Sequence, residues 1–151
     1  IGHLQVSDSA LAALAKSGNK LKRLELVSTS ITDATLLLFA TNHPGLRQLS
    51  VQRCDHLTQK GMLEIIPYLG NLGFLSMKEI GLNDELVNLM TEKRVMPALK
   101  RLDIRRTTSH CSSFALANLK AEKPNLIVYE KSNALIAAFD GKNISTLKFP
   151  P

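Results

Sequence analysis

Leu21, Leu24 and Leu26 return along the chain as Leu46, Leu49 and Val51, then as Leu72, Leu75 and Met77, then as Leu99, Leu102 and Ile104. Successive first positions are separated by 25, 26 and 27 residues, and a weaker copy, Leu126 with Tyr129, follows after another 27. A fixed period of this length restricts the chain to repeat architectures, in which each copy is one supersecondary unit. A second series keeps the same register. Val6, Ile31, Leu57 and Cys111 each stand 15 residues ahead of a repeat leucine, and Leu82 stands 17 ahead of Leu99, which predicts a two-residue insertion near 91–95.

Within each period, polar residues of helix-starting type precede a helical pattern. Ser7, Asp8 and Ser9 lead into 10–16, Thr32 and Asp33 into 34–41, Thr58 into 62–68, and Asn83 and Asp84 into 85–93. Their side chains accept hydrogen bonds from the amides that a helix's first turn leaves unpaired. Pro44, Pro97 and Pro124 mark the stops, because proline cannot continue a helix. Each unit is therefore read as one strand, one turn and one helix. A lone unit cannot cover its apolar face, whereas stacked copies bury a continuous core between a strand row and a helix row.

The chain of 151 residues is expected to form one folding unit. Repeats are expected over 1–131, with strands near 21–26, 46–51, 72–77, 99–104 and 126–130, followed by a C-terminal cap or tail over 132–151. In that last stretch 134–139 reads as a short closing helix and 144–149 as an extended piece. The opening residues 1–5 read as a degenerate edge strand or the remnant of a preceding repeat. The chain starts at Ile1 rather than Met, as an excised or processed segment would.

No apolar run approaches the 18 or more residues of a bilayer span, and no basic stretch leads a secretory apolar run, so neither a membrane crossing nor a signal peptide is expected. Cys54 and Cys111 lack partners at zinc-ligand spacing and read as partly buried thiols of a reducing compartment, cytoplasmic or nuclear. The formal charge of +6 favours acidic partners by long-range steering. An aromatic content of 5% without Trp is poor material for stacking nucleic-acid bases.

Leu49, Val51, Cys54, Leu57 and Thr58 together resemble the Leu-x-Leu-x-x-Cys-x-x-Ile-Thr-Asp motif of the cysteine-containing leucine-rich repeats in F-box and related ubiquitin-ligase receptors. Ile31, Thr32 and Asp33 match the start of that family's helix, and Pro44 to Leu49 the start of its strand. The similarity extends from Val6 to about Glu130. Only Cys54 fills the cysteine position; Ser30, Gly81 and Ser109 stand near its equivalents. The resemblance implies an α/β fold of the leucine-rich-repeat type, a right-handed solenoid forming a horseshoe segment, with parallel strands on the concave face and helices on the convex face. It further implies protein recognition, substrate selection for a ubiquitin ligase, and contact with cullin-ligase subunits through flanking regions. No F-box, RING or cullin-binding sequence is visible.

In such repeats the side chains between the buried apolar ones face the concave surface. These are Arg23, Glu25 and Val27, then Gln48, Ser50 and Gln52, then Phe74, Ser76 and Lys78, then Arg101, Asp103 and Arg105. The partner-binding candidates are Arg23, Glu25, Gln48, Gln52, Phe74, Lys78, Arg101, Asp103 and Arg105. Phe74 reads either as an interface anchor or as edge packing against Leu72 or Met77. Lys100, Arg101, Arg105 and Arg106, with Lys78 nearby, read either as a site for a carboxylate-rich or phosphorylated segment or as a solvated face with an internal Arg–Asp pair.

No catalytic, metal-binding or cofactor constellation is expected. His3, His43, His56 and His110 share no metal spacing, and His110 beside Cys111 is unsuited to nucleophilic chemistry because adjacent side chains rarely point together. Gly70 to Gly73 lacks the ending of a phosphate loop. The function expected is a protein-interaction module; the alternative is a nucleic-acid-associated or general scaffold using a basic surface.

Overall fold

The computed structural model describes residues 6–18, 20–107 and 111–130, and these form a two-layer α/β arrangement. Helix α1 (Asp8–Ala15) precedes strand β1 (Arg23–Val27), and α2 (Asp33–Asn42), β2 (Gln48–Gln52), α3 (Gln59–Ile65), β3 (Phe74–Ser76), α4 (Asp84–Thr91), β4 (Arg101–Asp103), α5 (Ser113–Glu122) and β5 (Ile127–Tyr129) follow in alternation. The strands make one parallel sheet in the order β1-β2-β3-β4-β5. Consecutive helices pack against each other in a second layer.

One apolar cluster fills the space between the layers. Leu24, Leu49, Leu75, Leu102 and Val128 stand in register across the sheet, and all are buried. From the helices come Leu11, Leu36, Phe39, Met62, Ile65, Leu86, Met90 and Leu119. The period-two alternation of a strand sends every second side chain into this core and the others to the opposite face. Leu46, Leu72 and Leu99 lie in the turns before their strands and are buried there, so the strands begin two residues later than the leucine pattern suggests.

Each described helix is capped as its sequence dictates. Ser7, Thr32, Thr58, Asn83 and Ser112 accept from the amides three residues on, and each helix begins at the next residue. The starts therefore lie one to three residues before the apolar patterns, since the helical stretch includes the polar first turn that a hydrophobic count omits. The third helix also differs at its end. Its α-helical part stops at Ile65 and continues as a 3-10 turn, Ile66–Tyr68, because Pro67 has no N–H to donate back along an α-helix.

The insertion falls in 92–98, between α4 and β4. There Val95 and Met96 turn inward, Met96 adopts φ 48°, and the Lys123 ammonium donates to the carbonyls of Val95 (2.6 Å) and Met96 (3.2 Å). Burial pushes the Lys123 pKa down.

The turns after the strands fix the repeat register. Ser28, Arg53, Glu79 and Arg106 all take positive φ, so they are equivalent. The residues that follow them, Thr29, Cys54, Ile80 and Thr107, then occupy one structural position. Ser30 and Gly81, expected near it, stand one residue beyond it, and Ser109 lies outside the described residues together with His110. The Cys54 thiol is buried beside the Thr29 hydroxyl (3.4 Å) and the Gln52 carbonyl (3.4 Å). Cys111, read as a partly buried thiol, is half-buried against the margin of the core.

The expected edge strand at 1–5 and the cap or tail at 132–151 lie outside the described residues. Among the described residues no helix is long and apolar enough to cross a membrane.

Candidate functional site

The sheet face opposite the helices carries three rows of side chains. Arg23, Gln48, Phe74, Arg101 and Ile127 are in register in the first row, and Glu25, Ser50, Ser76, Asp103 and Tyr129 in the second. Val27 pairs with Gln52 in the third, which Lys78 and Arg105 continue two residues beyond Ser76 and Asp103. All nine partner-binding candidates line one open depression of about 460 Å³ on this face, with Ser50 and Ser76 at its floor. Val27 lies outside it, at a neighbouring hollow with Arg53, Glu79 and Arg106.

The side chains are not equally available. Asp103 is only 3% exposed, so it is a buried organiser of the surface rather than a group presented to a partner. Arg105 donates from Nε to Asp103 Oδ1 (2.9 Å) and from Nη2 to Oδ2 (2.7 Å), and the Lys78 ammonium stands 3.4 Å from the same Oδ2. Burial alone would push the Asp103 carboxyl up. The hydrogen bonds from the side chain and backbone of Arg105, with the charges of Lys78 and Arg105, outweigh it and hold the carboxyl below its usual range. The same hydrogen bond raises the Arg105 pKa against its own desolvation.

The internal Arg–Asp pair is therefore present, but it engages Arg105 and leaves out Arg101. The Arg101 guanidinium lies 5.4 Å from the centre of the Phe74 ring, across the β3–β4 register. Phe74 is half-buried by this stack, which the sequence pattern did not anticipate because it crosses strands rather than folding onto Leu72 or Met77. Arg105 likewise sits 5.8 Å from the Tyr129 ring. Tyr129 was missed as a face residue. The fifth copy's leucine spacing aligned it with the core, whereas Val128 pairs with Leu102 and turns Tyr129 outward beside Asp103. A strand reading of 127–129 by strict alternation from Leu126 could have found it.

Ser50 and Ser76 are also buried, and the Ser76 hydroxyl has no hydrogen-bond partner among the described residues. Gln52 donates to Ser50 Oγ at 3.1 Å. Glu25 and Arg23 remain exposed at the β1 end. Arg106, from the basic cluster, turns to the rim and shares Glu79 with Arg53, at 3.9 Å and 2.9 Å.

A scan against protein-family models and a search of curated proteins found no match to this chain.

Proposed function

We propose that the chain is a segment of leucine-rich-repeat solenoid whose concave sheet face binds another protein, and that it forms the substrate-recognition part of a ubiquitin-ligase adaptor. The observation that carries this reading is the sheet face itself, which no described element covers. It combines two arginine–aromatic pairs with polar side chains from four adjacent strands, and arginine and tyrosine are prominent among residues that dominate protein interfaces. Equivalent turns at Ser28, Arg53, Glu79 and Arg106, and a buried Cys54 after the second strand, support the cysteine-containing repeat type.

The test is affinity purification of the full-length protein followed by mass spectrometry. Co-purification of a cullin or a Skp-type adaptor supports the ligase assignment, and their reproducible absence removes it. For the face, Phe74→Ser together with Arg101→Gln should release the bound partner while leaving the thermal midpoint near that of the parent. The alternative of a nucleic-acid scaffold rests on the net +6, and acids at Glu25, Glu79 and Asp103 interrupt the basic surface. Nucleic-acid binding would weaken steeply with salt across a multi-phosphate footprint.

A further inference from the structure

We infer that the β3–β4 half of the sheet face takes a carboxylate-rich segment of the partner, with Arg101 as its anchor and Lys78 as a second contact. This rests on the sheet-face reading above. The two outward arginines of this half are in different states. Arg105 already donates two side-chain hydrogen bonds to Asp103, whereas Arg101 has no ion pair among the described residues.

The Arg101 guanidinium carbon lies 5.4 Å from the centre of the Phe74 ring, a cation–π contact that holds this side chain over β3, and a guanidinium carries a planar edge of N–H donors. Such an edge matches a carboxylate through two parallel hydrogen bonds. Lys78 makes the longer of the two cation contacts to Asp103, so one buried carboxylate is shared by two cations. Counting Lys78, Arg101, Arg105 and Asp103 leaves a local charge of +2 for an incoming acid to neutralise. Ser76, in the same depression, holds a hydroxyl without a partner among the described residues. A phosphate, at roughly −1.5 to −2, is best held by several uncommitted cations. With Arg105 committed to Asp103, a single carboxylate at Arg101 is the better match.

Titration of the isotope-labelled chain with octaglutamate at low salt, followed by amide NMR shifts, tests this. Shifts should concentrate in 74–78 and 101–106, and Arg101→Gln should weaken binding about tenfold or more, as loss of a charge-assisted pair does. Lys60→Gln, an equal charge loss on the exposed side of α3, should change it less than about twofold on this electrostatic argument. Equal weakening by both substitutions, shifts spread over the lysines of other faces, or binding of a phosphoserine octapeptide where octaglutamate has no effect would each overturn the inference. A purified partner released by Phe74→Ser but held by the Arg101→Gln chain would overturn it too, with the sheet-face reading intact. A partner held by both would remove that reading itself.

Discussion

The Asp33 carboxylate accepts two hydrogen bonds from Thr58, one from its backbone N–H at 2.9 Å and one from its hydroxyl at 2.6 Å. The first residue of one helix thereby holds the cap of the next. Asp8 does the same for Thr32, accepting from its N–H at 2.8 Å, and Asp84 for Ser112, accepting from its hydroxyl at 2.8 Å. Gln59 stands at this position in α3 and makes no such bond among the described residues, so the ladder is interrupted between the third and fourth units. These carboxylates also sit where the helix dipole favours negative charge.

This arrangement predicts a change of sign at Gly61. A β-carbon there would overlap the Asp33 carboxyl group, so Gly61→Ala must push Asp33 off Thr58 and should cost about 1–2 kcal/mol, the worth of a lost capping interaction. In an Asp33→Ala background the overlap is gone. Alanine's better helix propensity, roughly 0.5–1 kcal/mol over glycine, should then make the same substitution stabilising. A double-mutant cycle by urea denaturation reads the two signs directly.

Asp103 should make stability acid-sensitive. Its carboxyl titrates lower in the folded chain than in the unfolded one, so the stabilisation is fully present above the ordinary carboxylate range, near 4, and is lost as pH falls through the lower folded value. Asp103→Asn should cost about 1–3 kcal/mol at neutral pH, as a lost hydrogen bond to a charged group does. The gap between variant and parent should narrow below about pH 4. Chemical denaturation across pH 2–7 checks it; a constant gap would remove Asp103 as its source.

Leu102 is fully buried on the interior strand β4, with Leu75 and Val128 on either side. Leu102→Ala should cost about 2–5 kcal/mol. Because the units share one core, the loss should appear as a lower midpoint for the whole transition. An unchanged midpoint would contradict the packing.

Lys123 anchors the inserted loop from the neighbouring unit, through the carbonyls of Val95 and Met96. Lys123→Met keeps the apolar stem and removes the donor. Hydrogen exchange should then accelerate at the amides of 95 and 99, which close the turns of that loop, while those of β2 keep their protection. Equal acceleration in both places would mean a global loss of stability.

Much of this was legible one residue at a time. The spacing of Leu24, Leu49, Leu75 and Leu102 prescribes which side chains share a core, because strand alternation is local geometry, and the caps at Ser7, Thr32, Thr58 and Asn83 follow from side-chain chemistry next to the first helical turn. The outward set at Arg23, Gln48, Phe74 and Arg101 comes from the same alternation. The fifth unit was misread at Tyr129, where the distance between copies and the pairing of strands part company by one residue.

What the sequence by itself determined is therefore the alternation of strands and helices, and over the first four strands the buried rows and the residues on the outer face. The tertiary structure alone decided how those outer residues divide their bonds. Arg101 and Arg105 are the same residue type, four apart and on the same face, yet one rests on Phe74 from the preceding strand while the other is held by Asp103 and lies beside Tyr129 from the following one. The reason is the spacing of parallel strands, about 5 Å, which brings side chains from units some 26 residues apart as close as neighbours in the chain.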